Sequence, residues 1–243
     1  VSGGDEMNDG EVLTVNDLHA FYGPSHIVQG VSLSVRRGQI VALLGRNGVG
    51  KTTTLRAIMG LVPSRRGSVR LEGKEIVGLP THEISRLGLS YVPEDRRVFR
   101  GLTVWDNLRL AMLGRRLGNE RGQLEAIYEL FPILRERGGQ EARTLSGGEQ
   151  QMLAIARALI GEPKVILVDE PTQGLAPTFV ERIADALAKV RERGISILLV
   201  EQNVPLALEM ADVAYIMDKG RIALSGPASE VRESPLLKEL ISV

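Results

Sequence analysis

The chain has 243 residues, enough for one large domain or one domain carrying an inserted lobe. Its 30 basic and 30 acidic side chains balance, which removes the electrostatic footprint of a general nucleic-acid binder, and the lack of cysteine excludes disulfides, thiolate metal sites and thiol catalysis. Hydrophobic residues make up 43% but aromatics only 4%, so the core must be aliphatic, and no apolar run approaches the roughly 20 residues that span a bilayer. No basic segment followed by an apolar run stands near Val1, so no signal peptide is expected. Residues 1–10 read as a flexible polar tail, with the folded domain spanning 11–243.

In chain order, Val12-Leu13-Thr14-Val15 is β-branched but alternates poorly, whereas Val28 to Val35 places Val31, Leu33 and Val35 on one face of a strand. Arg37-Gly38 is a turn into Ile40-Val41-Ala42-Leu43-Leu44, a continuous apolar strand, and Thr54 to Met59 reads as a helix. Val69 to Lys74 looks like a hairpin, so an antiparallel side sheet is expected beside the core. Thr103 and Asp106 form a capping box opening a helix through Leu108, Leu110 and Leu113, in which Trp105 is expected to pack or else to line a groove where a partner helix docks. A polar link, Gly114 to Gly122, leads to a second helix with Leu124, Ile127, Tyr128 and Phe131. These helices predict a helical subdomain inserted at about 95–160. Lys164 to Asp169 and Ile195 to Val200 are further buried strands. The helix between them starts at Pro177 and stops at Gly194. Val213 to Leu224 reads as a hairpin around Asp218-Lys219-Gly220. Alternating strands and helices predict an α/β fold: a phosphate-loop NTPase core with a parallel sheet and helices on both faces.

Three motifs carry chemistry. Gly45-Arg46-Asn47-Gly48-Val49-Gly50-Lys51-Thr52-Thr53 lies between a strand and a helix, the context in which glycines let backbone amides cradle phosphate oxygens. The helix dipole favours the same anion, Lys51 supplies charge for the terminal phosphates, and the Thr52 hydroxyl is placed to ligate Mg²⁺. Asp169-Glu170 ends a buried strand at the sheet's carboxyl edge, where Asp169 fits a Mg²⁺-holding role and Glu170 is placed to polarise water. Leu145-Ser146-Gly147-Gly148-Glu149 combines a capping box with two glycines, and a bare cap does not call for both, which points to a second phosphate contact on a partner molecule. His19, His26 and His82 have no metal spacing and are expected at surfaces or edges, and Arg96 and Arg97 are expected on solvated surface.

Phosphate loop, signature and Asp-Glu strand, in this order, resemble the ATP-binding subunit of an ABC transporter over nearly the whole chain from about Val12. The resemblance implies ATP and Mg²⁺ as cofactors and two such subunits head to tail, with ATP between one phosphate loop and Ser146-Gly147-Gly148 of the other. It implies transmembrane permease subunits as partners, a solute-binding protein indirectly, no nucleic acid, and a peripheral place on the cytoplasmic face of the inner membrane. Tyr22 resembles the aromatic that stacks on adenine. Glu94 stands where the family usually has a Mg²⁺-sensing glutamine, Gln202 where most members have the histidine that contacts the γ-phosphate, and Pro177 at the end of a loop that often closes on aspartate. Val92-Pro93-Glu94 followed by Asp95 to Phe99, then Gly174 to Pro177, then Val200 to Asn203, resembles the importer branch serving branched-chain amino acids, with relatives serving urea and other amides. That branch typically pairs two different ATPases. Soluble ABC ATPases of DNA repair or translation are the rival class; the former carry long coiled-coil insertions and the latter usually two units per chain, and this sequence has neither.

Overall fold

In a computed structural model of the chain, residues 10–113 and 119–241 are described. The tail expected at 1–10, apart from Gly10, and the centre of the polar link expected at Gly114 to Gly122 lie outside them.

The chain opens with a long hairpin, β1 (Glu11–Tyr22) and β2 (Ser25–Arg36), paired antiparallel. The weak alternation of the first strand has a local cause. A bulge at Asn16 and Asp17 shifts the register, so the buried set runs Leu13 and Val15 before it and Leu18 and Ala20 after it. Asp17 sits at φ 47 in the bulge, and Gly67 opposite has no room for a side chain, since a Cβ there would lie 2.3 Å from the Asp17 carbonyl.

β3 (Ile40–Leu44) leads through the glycine loop into α1 (Lys51–Ile58), and β4 (Ser64–Leu71) and β5 (Lys74–Glu75) return to the hairpin. They make a four-stranded antiparallel sheet ordered β2-β1-β4-β5. The short α2 (Thr81–Arg86) precedes β6 (Leu89–Val92). The chain then leaves the sheets for α3 (Val104–Met112), α4 (Glu120–Leu130), α5 (Pro132–Glu136), a 3₁₀ turn at Ala142–Thr144, and α6 (Gly147–Leu159). It returns as β7 (Val165–Asp169), α7 (Pro177–Glu192), β8 (Ser196–Val200), α8 (Val204–Met210), β9 (Val213–Asp218), β10 (Arg221–Pro227), α9 (Ala228–Glu233) and α10 (Pro235–Ile241). The second sheet has six strands ordered β10-β9-β3-β8-β7-β6, parallel except for the edge strand β10.

Side-chain alternation in the parallel strands divides the core into layers. Val41, Leu43, Val165, Leu167, Leu198 and Val200 face α1 and the antiparallel sheet. Ile166, Val168, Ile197 and Leu199 face α6 and α7, in one cluster with Val104, Leu108, Phe131 and Leu134 from the helical segment. Ala42 and Leu44 face α8 to α10.

The helical segment differs from the sequence reading in three places. The buried face of α3 is Val104, Asn107, Leu108 and Met112, whereas Leu110 and Leu113 are exposed. Leu110 falls off the 3.6-residue stripe set by Val104 and Leu108, and Leu113 lies past the last helical residue. Trp105 is 45% exposed rather than packed, with the Arg109 guanidinium 5.1 Å above its ring. The second helix starts inside the expected link, because Asn119 caps it by accepting from the Gly122 amide.

The far end of α1 depends on one side chain. Arg65, half-buried on β4, donates to the carbonyls of Ala57 and Ile58 at the helix end and of Ile76 and Leu79 beyond β5. Terminal helix carbonyls lack intrahelical donors, so the guanidinium satisfies groups that are otherwise orphaned. Arg65→Met should therefore lower unfolding stability by about 1–3 kcal/mol, read as a lower urea midpoint at unchanged slope. An unaltered midpoint would remove Arg65 from this role.

Candidate active site

The loop after β3 is forced close to β9. A Cβ at Gly45 would sit 2.3 Å from the Met217 carbonyl oxygen, and one at Gly50 2.9 Å from the Met217 Cε. Gly45 at φ 146 and Gly50 at φ 113 adopt backbone that side-chain-bearing residues rarely reach. Gly50 is also the N-cap of α1 and offers no side-chain acceptor, so the first-turn amides stay available to an external anion. Lys51 is only 4% exposed. Its Nζ donates to the carbonyls of Gly45 at 2.8 Å and Arg46 at 3.0 Å, folding the side chain back over its own loop.

The neighbouring strand ends bring carboxylates to the same edge. Thr52 Oγ1 donates to Asp169 Oδ1 at 3.0 Å, and the Tyr91 hydroxyl donates to Asp169 Oδ2 at 2.9 Å. Glu170 Oε1 lies 3.9 Å from Lys51 Nζ, and the Gln202 amide donates to Glu170 Oε2. Glu170 holds φ 47, a left-handed backbone for a residue with a Cβ. Glu201 is buried and accepts from the Thr172 amide at 3.1 Å, the Thr172 hydroxyl at 2.7 Å and the Gln202 amide N–H at 3.2 Å. Burial pushes the carboxyls of Asp169, Glu170 and Glu201 above their usual range and pushes the Lys51 ammonium down.

A cleft of about 340 Å³ opens onto Lys51, Thr52, Glu170 and Gln202, and is lined also by Ile27, Asn47, Gly48, Gly50, Thr53, Glu94 and Gln173; Asp169 and Glu201 lie behind it. Gly45, Arg46 and Asn47 border a second hollow with Gln202 and Asn203. Val49 is half-buried between the loop glycines. Tyr22 lines neither space; it ends β1, with its hydroxyl beside the Arg56 guanidinium. Ser146, Gly147 and Gly148 also lie outside the cleft lining. Ser146 and Glu149 form the expected capping box. Gly148, however, has an internal reason to be glycine: a Cβ there would meet the Phe179 ring of α7 at 2.2 Å. The glycine pair therefore does not by itself demand a partner. Nor is Arg96 simply solvated, since it is half-buried with its guanidinium against Gly147.

Sequence reasoning missed Tyr91, Arg56, Glu201 and Thr172. Tyr91 lies 78 residues from Asp169, so no local pattern pairs them. Glu201 had a signal, since it directly follows a buried apolar strand, much as Asp169 closes one.

The geometry is matched by known proteins. A family profile described as ABC transporter covers residues 28–173. The chain belongs to the ABC transporter family. It is 41% identical over 228 residues to the high-affinity branched-chain amino acid transport ATP-binding protein BraG of Pseudomonas aeruginosa, covering 94% of this chain and 98% of that protein. It is 42% identical over 230 residues to the probable branched-chain amino acid transport ATP-binding protein LivF of Archaeoglobus fulgidus, with the same coverage, 94% and 98%. The fold matches the crystal structure of the ADP conformation of an ATP-binding cassette of an ABC transporter, at a TM-score of 0.82 and 26% identity over 95% of this chain and 98% of that one. This ABC transporter chain is thus an ATPase with the cassette fold. Among its described residues no helix is long and apolar enough to cross a membrane.

The raised Asp169 carboxyl makes a signed prediction for the nucleotide-free protein. A carboxyl raised on folding favours the fold below its unfolded pKa, and that contribution is lost as pH rises through the folded pKa. Asp169→Asn removes the ionisation, so it should be the more thermostable protein, by a margin that grows as pH rises above the unfolded carboxyl range of about pH 4. A margin that shrinks as pH rises would show that burial does not dominate at Asp169.

Proposed function

We propose that the chain is the ATP-hydrolysing subunit of an ABC importer for branched-chain or related hydrophobic amino acids. One observation carries the catalytic part: at the carboxyl ends of β3, β7 and β8, Lys51, Thr52, Glu170 and Gln202 line one cleft, Glu170 contacts Lys51 and Gln202, and the buried Asp169 accepts from Thr52 behind it. The relatives' printed functions carry the solute.

The residues present fit a magnesium nucleotide. The uncapped amides of α1 and the Lys51 ammonium suit phosphate oxygens. The Thr52 hydroxyl and the Asp169 carboxylate beside it offer oxygen donors of the kind Mg²⁺ takes. No group of three His, Cys, Asp or Glu that could hold a metal occurs among the described residues. An ion that completes its shell with phosphate and water suits such a site better than one needing a protein cage. When bound, the nucleotide supplies the phosphoryl group and its Mg²⁺ the countercharge. Thr52, Asp169 and Glu94 would hold the ion, and the residues 45–53 together with Ser146, Gly147 and Gly148 of a second subunit would enclose the phosphates. Lys51 would turn from the Gly45 and Arg46 carbonyls toward phosphate. Glu170, with its proton affinity raised by burial, is suited to take a proton from water. Gln202 fixes its carboxylate by donating to one oxygen. Tyr22 would stack on the base.

The assignment extends to partners. A second ABC ATPase subunit, identical or a sibling, would complete the site, and the signature residues' place outside the chain's own cleft supports this. Permease subunits would dock from the membrane, with a solute-binding protein acting indirectly, and the chain would sit peripherally on the cytoplasmic face. Exposed Trp105, Leu110 and Leu113 on α3 and just past its end, with Phe99 tied to α3 by Asn107, support an apolar partner surface. The helical segment at about 95–160 would be the inserted subdomain.

The test is reconstitution in lipid vesicles with candidate permease and solute-binding subunits. Leucine, isoleucine or valine should stimulate ATP hydrolysis and uptake. Glu170→Gln should abolish both, a loss of about 100-fold or more, while ATP still binds. Parent-level hydrolysis in Glu170→Gln would remove Glu170 from catalysis, and stimulation by urea in place of these amino acids would reassign the solute.

A further inference from the structure

Asp169 is fully buried, and each of its carboxylate oxygens accepts a hydroxyl. One donor, Thr52, belongs to the phosphate loop. The other, Tyr91 on β6, belongs to no motif of the site. Strand pairing places Tyr91 opposite Leu167 on β7, two residues before Asp169. Its ring forms part of a separate surface cleft with Met59, Arg96 and Arg157. Its hydroxyl reaches inward to Asp169 Oδ2 at 2.9 Å. Arg56 of α1 lies beside that hydroxyl and beside the hydroxyl of Tyr22. Phenylalanine would fill the same space, so packing alone gives no reason for the oxygen. That hydroxyl donates to Asp169 and interacts with the nearby Arg56 guanidinium.

We infer that Tyr91, steadied by Arg56, is a positioning residue that aims the Asp169 carboxylate toward the metal of a bound magnesium nucleotide. The inference rests on the proposed role of Asp169. The physical reason is the behaviour of outer-shell partners: a hydrogen bond to one carboxylate oxygen fixes the direction in which the other presents its lone pairs, and loss of such a partner commonly weakens metal binding about 10- to 100-fold. With Tyr91 fixing Oδ2, Oδ1 stays beside Thr52, the other oxygen donor at this point. Without it, the carboxylate can rotate about its Cβ–Cγ bond and lose that alignment. Arg56 also interacts with the Tyr22 hydroxyl at the end of β1.

The experiment is a Mg²⁺ titration of a fluorescent ATP analogue bound to the full-length chain. In Tyr91→Phe the Mg²⁺ concentration at half-effect should rise about 10-fold. Affinity for the analogue in excess chelator should stay at the parent value, a readout that general damage to the site would lower. In an Asp169→Asn background the same Tyr91→Phe change should no longer move the Mg²⁺ midpoint, because the effect passes through that carboxylate. Arg56→Lys gives an independent arm should Tyr91→Phe fold poorly, with an expected shift of about threefold in the same direction. An unmoved Mg²⁺ midpoint in the folded variants would overturn the inference while leaving the proposed activity intact. A parent chain that binds the analogue with no Mg²⁺ dependence at all would overturn both the metal role of Asp169 and this one.

Discussion

One buried ammonium faces three buried carboxylates, and the site is arranged around that imbalance. Lys51, Asp169, Glu170 and Glu201 are each less than 10% exposed. Charges taken from water are costly unless they are paired and hydrogen-bonded. Here the pairing is incomplete: Lys51 spends its hydrogen bonds on two loop carbonyls and stands 3.9 Å from Glu170. Hydroxyls and amides from Thr52, Tyr91, Thr172 and Gln202 supply what the ammonium does not. Such a cluster is stable enough to fold, yet it stands to gain from an added divalent cation and from phosphate oxygens for Lys51. That is the electrostatic form of a site built for a ligand rather than for stability.

The parallel sheet makes the cluster possible. β8 lies between β3 and β7 in register, so Leu44, Asp169 and Val200 end at one edge. Each strand then delivers its polar residue just past the last apolar one: the glycine loop from β3, Asp169-Glu170 from β7 and Glu201-Gln202 from β8. Glu170 departs from the strand at φ 47, a conformation costing on the order of 1–3 kcal/mol, and its amide donates to the Val200 carbonyl at 2.8 Å. The turn swings the side chain from the strand direction toward Lys51 and Gln202. A strained residue at the point where proton transfer is proposed fits the usual location of such strain.

Much of this was legible from sequence because the phosphate loop, the Asp-Glu strand and the buried apolar runs are local patterns. The parallel core, the side sheet and the hairpin at Lys219-Gly220 follow from periodicity and turn residues within short windows. What escaped is non-local. The bulge at Asp17 hid most of β1 by shifting its alternation by one residue. The exposed faces of Trp105, Leu110 and Leu113 break the rule that apolar helical residues pack inward, which pattern alone cannot distinguish from a partner surface. The Phe179 ring over Gly148, the Arg56 link and the Tyr91 hydroxyl on Asp169 join elements far apart in the chain, so nothing in any one window announces them.

The central claim is that the loop amides and Lys51 form a phosphate site that the buried carboxylates complete through Mg²⁺. Calorimetric titration of Mg²⁺-ATP into the purified chain, beside Lys51→Met, tests it most directly. The account predicts saturable, stoichiometric binding to the parent, lost by about 10-fold or more in Lys51→Met, where the loop keeps its glycines but not its ammonium. Equal affinity in the two proteins, or no binding to either, would contradict it.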